Sequence, residues 1–274
     1  MPESTEAPRC ARTAAMQMRV IRHGLVESTN ELAFEALARG AGRHGDVHLA
    51  TGQTRGRGRR GASWFSPEGR GLYLSLIWMP PPEQGETSGL SIAVGLGMHD
   101  ALVGLGLAGC AGLPRAAEPD AALTLKWPND LLAGSAKLCG ILIESRGLAP
   151  RAPRFVIGIG LNVGPLEAPA ELLAERPVTS LADLGLALEV EDVLEATLPA
   201  LARRLAQLEE DPAGLTRDYL EAAGLTGQEV LVDGPQEVRG RVIGMDLVRG
   251  LELVQADGTA LTLRLGHVRG LRRI

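Results

Sequence analysis

Apolar residues recur along this 274-residue chain with two different periods, and these periods predict the helices and the strands. A helical spacing of three and four occurs in residues 28–40, 88–107 and 191–210, most clearly in the last. Ser28 and Glu31 stand where a capping box would begin the first helix. Short segments rich in strand-forming residues predict strands at residues 20–26, 46–51, 72–78, 123–127, 138–144 and 155–163.

The pattern changes after Gly224. Short alternating segments follow, separated by Gly, Asp-Gly or Gly-Pro turns, and they predict five short strands. Strands at this density are typical of a small barrel of the SH3-like type. The predicted fold class is α+β: a loose tail at 1–19, a main domain at 20–223 with a mixed β-sheet and flanking helices, and a small C-terminal β domain at 224–274.

Composition narrows the class of protein. A formal net charge of −5 argues against a protein that coats nucleic acid nonspecifically. The first twenty residues lack a continuous apolar run, and no later stretch has the roughly 18 unbroken apolar residues of a spanning helix, so we expect neither a signal peptide nor a membrane anchor. The three cysteines are far apart and form no metal-type or redox-type pair, which favours a reducing cytoplasm.

Lysine is scarce: among 28 basic residues only Lys126 and Lys137 are lysines, and both lie in KWPNDLLAGSAKLCGILIES. Arg replaces Lys on most solvated surfaces, so a retained lysine suggests chemistry that needs a compact ammonium. Lys137 opens a predicted strand near Gly140 and apolar neighbours, so we expect its ammonium to face a pocket and to have an anionic partner. Lys126 is expected on the opposite face of the preceding strand, whereas Asn129 and Asp130 present short polar groups at a turn.

A loop of alternating glycines and arginines, GRGRRG, lies between two predicted strands. Its glycines let the backbone wrap closely around a ligand, and its amides and guanidinium groups suit carboxylate or phosphate. Crowded arginines should leave the loop mobile until an anion arrives, as in a closing lid, although a solvated basic loop is the plainer alternative. The string fits G-x-G-x-x-G, but no helix starts after it, so we reject a dinucleotide-binding fold. The loop arginines are Arg55, Arg57, Arg59 and Arg60.

A third segment, VIGIGLNVGP, is an apolar strand interrupted by glycines, which indicates close approach of a ligand or of another backbone. Asn162 ends this strand, and on its own it reads as an ordinary turn asparagine. No Gly-Lys-Ser/Thr motif occurs in the sequence, so any nucleotide would bind without a P-loop.

Taken together, these segments resemble the biotin protein ligases. The matching elements are ESTN at residues 27–30, GRGRRG with its WFSP and GLYLS continuation, KWPND, KLCGIL, and GIGLNV followed by TSL at residues 179–181. They occur in the family's order, and the pairing of the Gly/Arg loop with KWPND is highly specific. The resemblance implies the class II aminoacyl-tRNA-synthetase-like fold of biotin and lipoyl ligases, followed by an SH3-like module.

The resemblance implies a reaction in two steps. The carboxylate of biotin attacks the α-phosphate of Mg-ATP, giving biotinyl-5′-AMP and pyrophosphate. A lysine amine on a carrier domain then attacks this mixed anhydride and releases AMP. Two anions must meet in the first step, which requires fixed positive charge at the site.

The resemblance also assigns residues to these steps. Lys137 matches the catalytic lysine and would bridge the two anions. Arg57 and Arg59, with the Gly58 amide, would hold the adenylate away from water. Nine residues match the biotin site: Ser28, Thr29, Asn30, Gln53, Arg57, Gly58, Arg59, Lys137 and Gly140. Seven are candidates for the ATP side: Arg57, Arg59, Trp64, Lys126, Asn129, Lys137 and Asn162. No protein ligand for a metal is assigned, because ATP carries the Mg²⁺.

The implied partner is the biotin carboxyl carrier domain of acetyl-CoA carboxylase or a related carboxylase, and the sequence leaves homodimerisation open. No helix-turn-helix precedes residue 20, so we expect no DNA-binding role. The chain departs from the family where Ala62 and Ser63 replace the usual arginine after the loop, which weakens the expected hold on the adenylate. The C-terminal ending GHVRGLRRI also lacks the family's usual acidic form.

Two alternatives are weighed against this hypothesis. A lipoate or octanoate ligase shares the fold and the lysine-centred site but lacks the pairing of GRGRRG with KWPND. A nucleic-acid-binding module would use the Gly/Arg loop, yet the chain is acidic and only 3% of its residues are aromatic, which leaves few rings for stacking on bases.

Overall fold

The computed structural model describes residues 16–80, 88–107, 122–146, 153–166 and 177–274. Seven strands form the larger sheet: β1 (Arg19–Val26), β2 (Asp46–Gln53), β3 (Gly71–Trp78), β4 (Leu123–Lys126), β5 (Asp130–Ala133), β6 (Ala136–Glu144) and β7 (Phe155–Asn162). Their order is β1-β2-β3-β7-β6-β5-β4. Strands β1 and β2 are parallel and the other neighbours are antiparallel, so the predicted mixed sheet is confirmed.

Helices cover both faces of this sheet, which explains why its central strands are apolar on both sides. All of β3 is buried, and β7 beside it is almost entirely buried. Helix α1 (Thr29–Ala38) packs on one face, where Ala33 and Leu37 meet Ile77 of β3. Alternate residues of β3, such as Leu74 and Leu76, belong to the main core on the other face.

The other face is covered by α2 (Ser88–Leu102), α3 (Val190–Glu210) and α4 (Pro212–Ala222). Helix α2 continues through a π-helical turn, Val103–Leu107. The stretch Gly89–Leu107 is long and apolar enough to cross a membrane, but 61% of it is buried inside the protein. It packs against α3 and the larger sheet, so its apolar character is explained by its place in the protein core.

A second sheet follows the helices. It consists of β8 (Glu229–Asp233), β9 (Val238–Asp246), β10 (Gly250–Val254), β11 (Ala260–Leu263) and β12 (Gly270–Arg273). The five predicted strands are all present, in the order β11-β10-β9-β8-β12. This sheet contacts the first part of the chain through Trp127, whose Nε1 donates to the Val268 carbonyl at 2.7 Å, and through Arg273, which donates to the Ala223 carbonyl.

Three local predictions differ from the structure. Helix α4 was not predicted; Asp211 caps it by accepting from the Gly214 amide at 2.9 Å, and proline occupies its first turn. Asp130 begins strand β5 and does not lie in the turn. Ser28 stands at the N-cap of α1 as predicted, but neither arm of the capping box forms: the Ser28 side chain makes no capping bond, and the Glu31 carboxylate pairs with Arg57 and Arg146.

Candidate active site

A cavity lies between the start of α1, the Gly/Arg loop and the strands β6 and β7. Eleven predicted site residues line it: Ser28, Thr29, Asn30, Gln53, Arg57, Gly58, Arg59, Trp64, Asn129, Lys137 and Gly140. Six further residues complete the lining: Leu74, Ile141, Leu142, Gly158, Ile159 and Gly160. Residues far apart in the sequence are thus brought to one site, although their binding roles stay predictions.

Lys137 lies in this cavity with an anionic partner, as the sequence predicts. Its Nζ is 2.8 Å from Asp130 Oδ1, and both side chains are largely buried, at 17% and 10% exposure. Asp130 Oδ1 also accepts from Asn129 Nδ2 at 3.1 Å, and the same amide group donates to the Ile141 carbonyl at 3.1 Å. Asn129, which follows the cis peptide bond Trp127–Pro128, therefore helps to fix the Asp130 carboxylate that holds Lys137.

One wall of the cavity is lined by the polar residues Ser28, Thr29, Asn30 and Gln53, and the fully buried Ser75 lies behind them; we name these five residues the polar wall. Gln53 Oε1 accepts from the Thr29 amide at 2.9 Å, and its Nε2 donates to Ser66 Oγ at 3.0 Å. The buried Ser75 hydroxyl donates to Asn30 Oδ1 at 2.5 Å and lies 2.7 Å from Thr29 Oγ1. Since most of these side chains are buried and bonded to one another, their orientation is fixed before any ligand arrives.

Glycines on β6 and β7 make room for this arrangement. A Cβ on Gly158 would lie 2.4 Å from Asn30 Oδ1, and one on Gly160 would lie 2.3 Å from Trp64 Nε1. A Cβ on Gly140 would lie 2.9 Å from Trp64 Cζ3. The glycines of the GIGLN segment therefore permit close approach of side chains as well as of a ligand, and the Trp64 ring lies 5.1 Å from Lys137 Nζ.

The Gly/Arg loop, residues 54–66, forms one border of the cavity and is called the lid loop below. It folds back on itself, because the Gly58 amide donates to the Ala62 carbonyl at 2.7 Å and the Trp64 amide donates to the Gly56 carbonyl at 2.9 Å. At its tip Arg60 has a φ of 56°, a left-handed conformation that is uncommon outside glycine.

Two arginines of the lid loop reach the cavity, and each is held by a different partner. Arg59 donates to Asn129 Oδ1 at 2.8 Å, and burial, with the nearby Arg60 charge, lowers the pKa of its guanidinium. Arg57 pairs with Glu31 and, at 2.7 Å, with Glu144. Its Nε is buried without a hydrogen-bond partner among the described residues, so one donor of Arg57 remains for a ligand.

Two predicted residues lie outside the cavity. Asn162 is buried at the end of β7, where its Nδ2 donates to the Thr179 carbonyl at 2.8 Å. Lys126 is the last residue of β4 and does not line the cavity. Their assignment to the nucleotide side stays a prediction, and the structure gives Asn162 a part in joining β7 to residues 177–181.

Neighbouring groups bear on which chemistry the site can perform. Burial raises the pKa of the Cys139 thiol to about 12, so this cysteine is a protonated core residue. Among the described residues no group of three or more His, Cys, Asp and Glu side chains could hold a metal ion. Three cations face the cavity, Lys137, Arg57 and Arg59. Its floor is apolar and includes Leu74 and Ile159.

A second cavity adjoins the first and shares Arg59, Asn129 and Ile141 with it. Its other lining residues come from α2, from the Trp127–Pro128 turn, from β6 and from the loop before β12: Ser91, Trp127, Pro128, Ile143, Leu265, Gly266 and Val268. The two cavities meet on either side of the Arg59–Asn129 hydrogen bond, so one extended ligand could occupy both.

Sequence reasoning missed several residues that shape the site. Ser75 and Glu144 carry no local signal, because each lies within or at the end of an apolar strand and acquires its role only when α1 packs on the sheet. Gly158 and Gly160 belong to a segment that was noted for its glycines, but the side chains they accommodate were not foreseen. Asp130 was placed in a turn, although its pairing with Lys137 supplies the expected anion.

Comparison with known proteins agrees with this geometry. A model of the Biotin/lipoate A/B protein ligase family matches residues 24–162. The biotin–[acetyl-CoA-carboxylase] ligase of Paracoccus denitrificans is 35% identical over 227 residues, which is 81% of this chain and 90% of that protein. The chain belongs to the biotin/lipoate A/B protein ligase family.

Solved structures specify the branch of that family. Biotin protein ligase from Aquifex aeolicus, in complex with biotin and ATP, has a TM-score of 0.71 and 27% identity, with 93% of this chain and 99% of that chain covered. Biotin protein ligase from Leishmania major, in complex with biotinyl-5-AMP, has a TM-score of 0.58 and 25% identity, with 89% and 98% covered. These relatives are biotin protein ligases, and the mixed α+β fold is theirs.

Proposed function

We propose that this chain is an ATP-dependent biotin protein ligase, which activates biotin as biotinyl-5′-AMP and transfers it to a lysine of a biotin carboxyl carrier domain. The observation that carries the proposal is one cavity with three kinds of lining. It has an apolar floor, a neutral polar wall on one side and three cations on the other. Biotin needs all three, because it has an apolar body, a neutral ureido ring and a carboxylate.

The polar wall is suited to the ureido group. Asn30 has two N–H donors and an oxygen with two lone pairs, and it uses one of each on Glu144 and Ser75. One donor and one acceptor therefore remain for a neutral ligand that itself both donates and accepts. Thr29, Ser28 and Gln53 extend this surface, and a charged ligand group would gain less from it.

The cationic side is suited to the first chemical step. An oxygen of the biotin carboxylate attacks the α-phosphorus of ATP, the bond to the β,γ-phosphate breaks, and pyrophosphate leaves. The Lys137 ammonium, fixed by Asp130, lowers the repulsion between the two anions at this point. The Nε of Arg57 and the guanidinium of Arg59 supply further donors to the adenylate.

The second cavity extends away from Lys137 past Arg59 and Asn129, and we assign it to the nucleotide. Its apolar surface, with Trp127 and Ile143, suits a purine ring. Mg²⁺ carried by ATP would neutralise part of the phosphate charge. Lys126 and Asn162 are kept as candidates for this side only through the family resemblance.

In the second step the neutral amine of the carrier lysine attacks the biotinyl carbonyl carbon, the bond to the phosphate oxygen breaks, and AMP leaves while the amine loses a proton. The partner is the carrier domain of acetyl-CoA carboxylase or a related carboxylase, as the names of the relatives suggest. For this role we expect a cytoplasmic enzyme that binds neither membranes nor DNA, and we make no proposal on homodimerisation.

The same proposal includes the division of the chain that the sequence predicts: a tail at 1–19, a catalytic domain at 20–223 and a C-terminal domain at 224–274. The first boundary needs one correction, because Arg19 already belongs to β1 and pairs with Asp46 of β2. We further infer that the second sheet curves into an SH3-like barrel. In its support, the last strand β12 pairs with the first strand β8, which brings the two ends of the module together.

Transfer of biotin from biotin and Mg-ATP to an apo carrier domain tests the proposal, with mass spectrometry to count the modified lysines. The expected result is one modification per carrier, dependent on ATP. Preference for lipoate or octanoate over biotin would replace this function by that of a lipoate or octanoate ligase. Salt-dependent retardation of nucleic acid in a gel, without biotin transfer, would favour the nucleic-acid-binding alternative.

A further inference from the structure

Glu144, the last residue of β6, contacts both borders of the cavity. Its Oε2 accepts from Asn30 Nδ2 at 2.7 Å and from a terminal nitrogen of Arg57 at 2.7 Å. Asn30 belongs to the polar wall and Arg57 to the lid loop. They lie 114 and 87 positions before Glu144 in the sequence, and both donate to the same carboxylate oxygen. The Glu144 side chain is only 25% exposed, so the contact is partly shielded from water.

A second carboxylate differs from Glu144 in one informative way. Glu31, on α1, pairs with Arg57 and with Arg146, and the Arg146 bond is the main cause that lowers the Glu31 pKa. Glu31 thus holds the lid loop, as Glu144 does. The structure gives Glu31 no bond to Asn30.

We propose that Glu144 is a positioning residue that couples the polar wall to the lid loop. The inference rests on the proposed function. Glu144 accepts from the Asn30 amide nitrogen, and Ser75 donates to the Asn30 amide oxygen. These two bonds together set the orientation of the amide that faces biotin. Through Arg57, Glu144 holds the guanidinium at the cavity while the unpartnered Nε stays available for the adenylate. One side chain thereby influences substrate binding and retention of the intermediate.

Three variants separate these two effects. Glu144→Ala removes the acceptor of both Asn30 and Arg57, so biotin should bind about tenfold more weakly and the adenylate should escape faster. Glu144→Gln keeps an acceptor oxygen for Asn30 but loses the charge that holds Arg57, so biotin binding should stay within about twofold of the original while the adenylate still escapes faster. The matched control Glu31→Gln should resemble Glu144→Gln.

The measurements are calorimetric titration with biotin alone, the dissociation rate of preformed biotinyl-AMP, and the melting temperature. The inference would be overturned if folded Glu144→Ala bound biotin with the original affinity. It would also be overturned if Glu31→Gln lost as much affinity for biotin as Glu144→Ala does. Should Glu144→Ala fail to fold, Glu144→Gln still decides: biotin binding must survive while the adenylate is lost faster.

A double-mutant cycle gives an independent check. Glu144→Ala and Asn30→Ala should together weaken biotin binding by much less than the product of their separate effects, since both act through one hydrogen bond. Effects that simply multiply would show that Glu144 does not act through Asn30. If the unaltered protein bound no biotin, the proposed function itself would fail, which is a different result from normal biotin binding in every variant.

Discussion

The polar wall and the lid loop border the same cavity but are built on opposite principles. The wall lies on the start of α1 and on strands β2 and β3, and Asn30 and Ser75 are at most 4% exposed. The lid loop has no regular strand or α-helix, and Arg55 and Arg60 on it are exposed. Side-chain hydrogen bonds hold the wall, whereas ion pairs and a few backbone bonds hold the loop.

This difference suggests a division of labour. A wall whose hydrogen bonds are made in advance loses little entropy when it binds a neutral ligand. A loop held by ion pairs can exchange a carboxylate partner for a phosphate at modest cost, because the charges remain compensated. The wall would therefore select biotin, and the lid loop would respond to the anion that forms during the reaction.

The largest expected effect concerns Lys137, where wall and lid loop meet. Lys137→Arg keeps the charge but replaces a point ammonium by a planar guanidinium in the space bordered by Gly140 and Trp64. Adenylate formation should fall by about 10²- to 10³-fold, measured as pyrophosphate released with biotin and Mg-ATP. Activity near the original level in Lys137→Arg would contradict the assigned role.

A smaller but still large effect is expected from the floor under Trp64. In Gly160→Ala the new Cβ would lie 2.3 Å from Trp64 Nε1, so the ring must move, and biotin should bind about tenfold more weakly. Gly24→Ala is the control, since a Cβ at that strand position has no neighbour within 4 Å. Equal calorimetric affinities of the two variants would mean that the position of Trp64 does not matter to binding.

For the lid loop, the informative change is Arg59→Gly, which removes the hydrogen bond to Asn129 between the two cavities. The adenylate should escape several-fold faster, while biotin alone binds nearly as well, because the polar wall is untouched. Labelling of bystander proteins by the released adenylate would be the readout. Arg55→Gly, which loses only an exposed pair with Glu27, should leave bystander labelling unchanged.

The smallest effect lies outside both regions, at the pair formed by the half-buried His23 and the buried His48. His23 Nε2 lies 3.1 Å from His48 Nδ1, and burial, followed by the nearby His23, lowers the pKa of His48 below 6.5. The unfolded chain therefore takes up its proton first as the pH falls, and the free energy of unfolding declines from near pH 6.5 downwards. Urea unfolding between pH 7.5 and 5.5 should show a shallower decline in His48→Gln, with the exposed His267→Gln as control.

The sequence predicts an element of the fold well when residues within that element determine its structure, and poorly when contacts with distant segments do. Strands such as Gly71–Trp78 were predictable because burial on both faces leaves a continuous apolar run in the sequence. Helix α4 was not, since its start depends on the Asp211 cap and the helix follows α3 without a break that composition reveals. At the site, the motifs located eleven of the residues that line the cavity, whereas Lys126 and Asn162 lie outside it.

The residues behind those motifs were harder to find. Glu144 looks like an ordinary strand-ending acid, and its two partners come from α1 and the lid loop. The expected capping box at Ser28 is also absent, and Glu31 instead pairs with Arg57 and Arg146, which come from other parts of the chain. Local rules describe each element, whereas the site depends on which elements the fold brings together.

The hydrogen bond from Trp127 to the Val268 carbonyl spans 141 positions of the chain. During synthesis, the turn that carries Asn129 therefore emerges long before the residue that supports it from behind. A chain that ended before Val268 would lack this support for the turn. Folding of the segment that carries Val268 is thus a condition for a fully supported turn at the site.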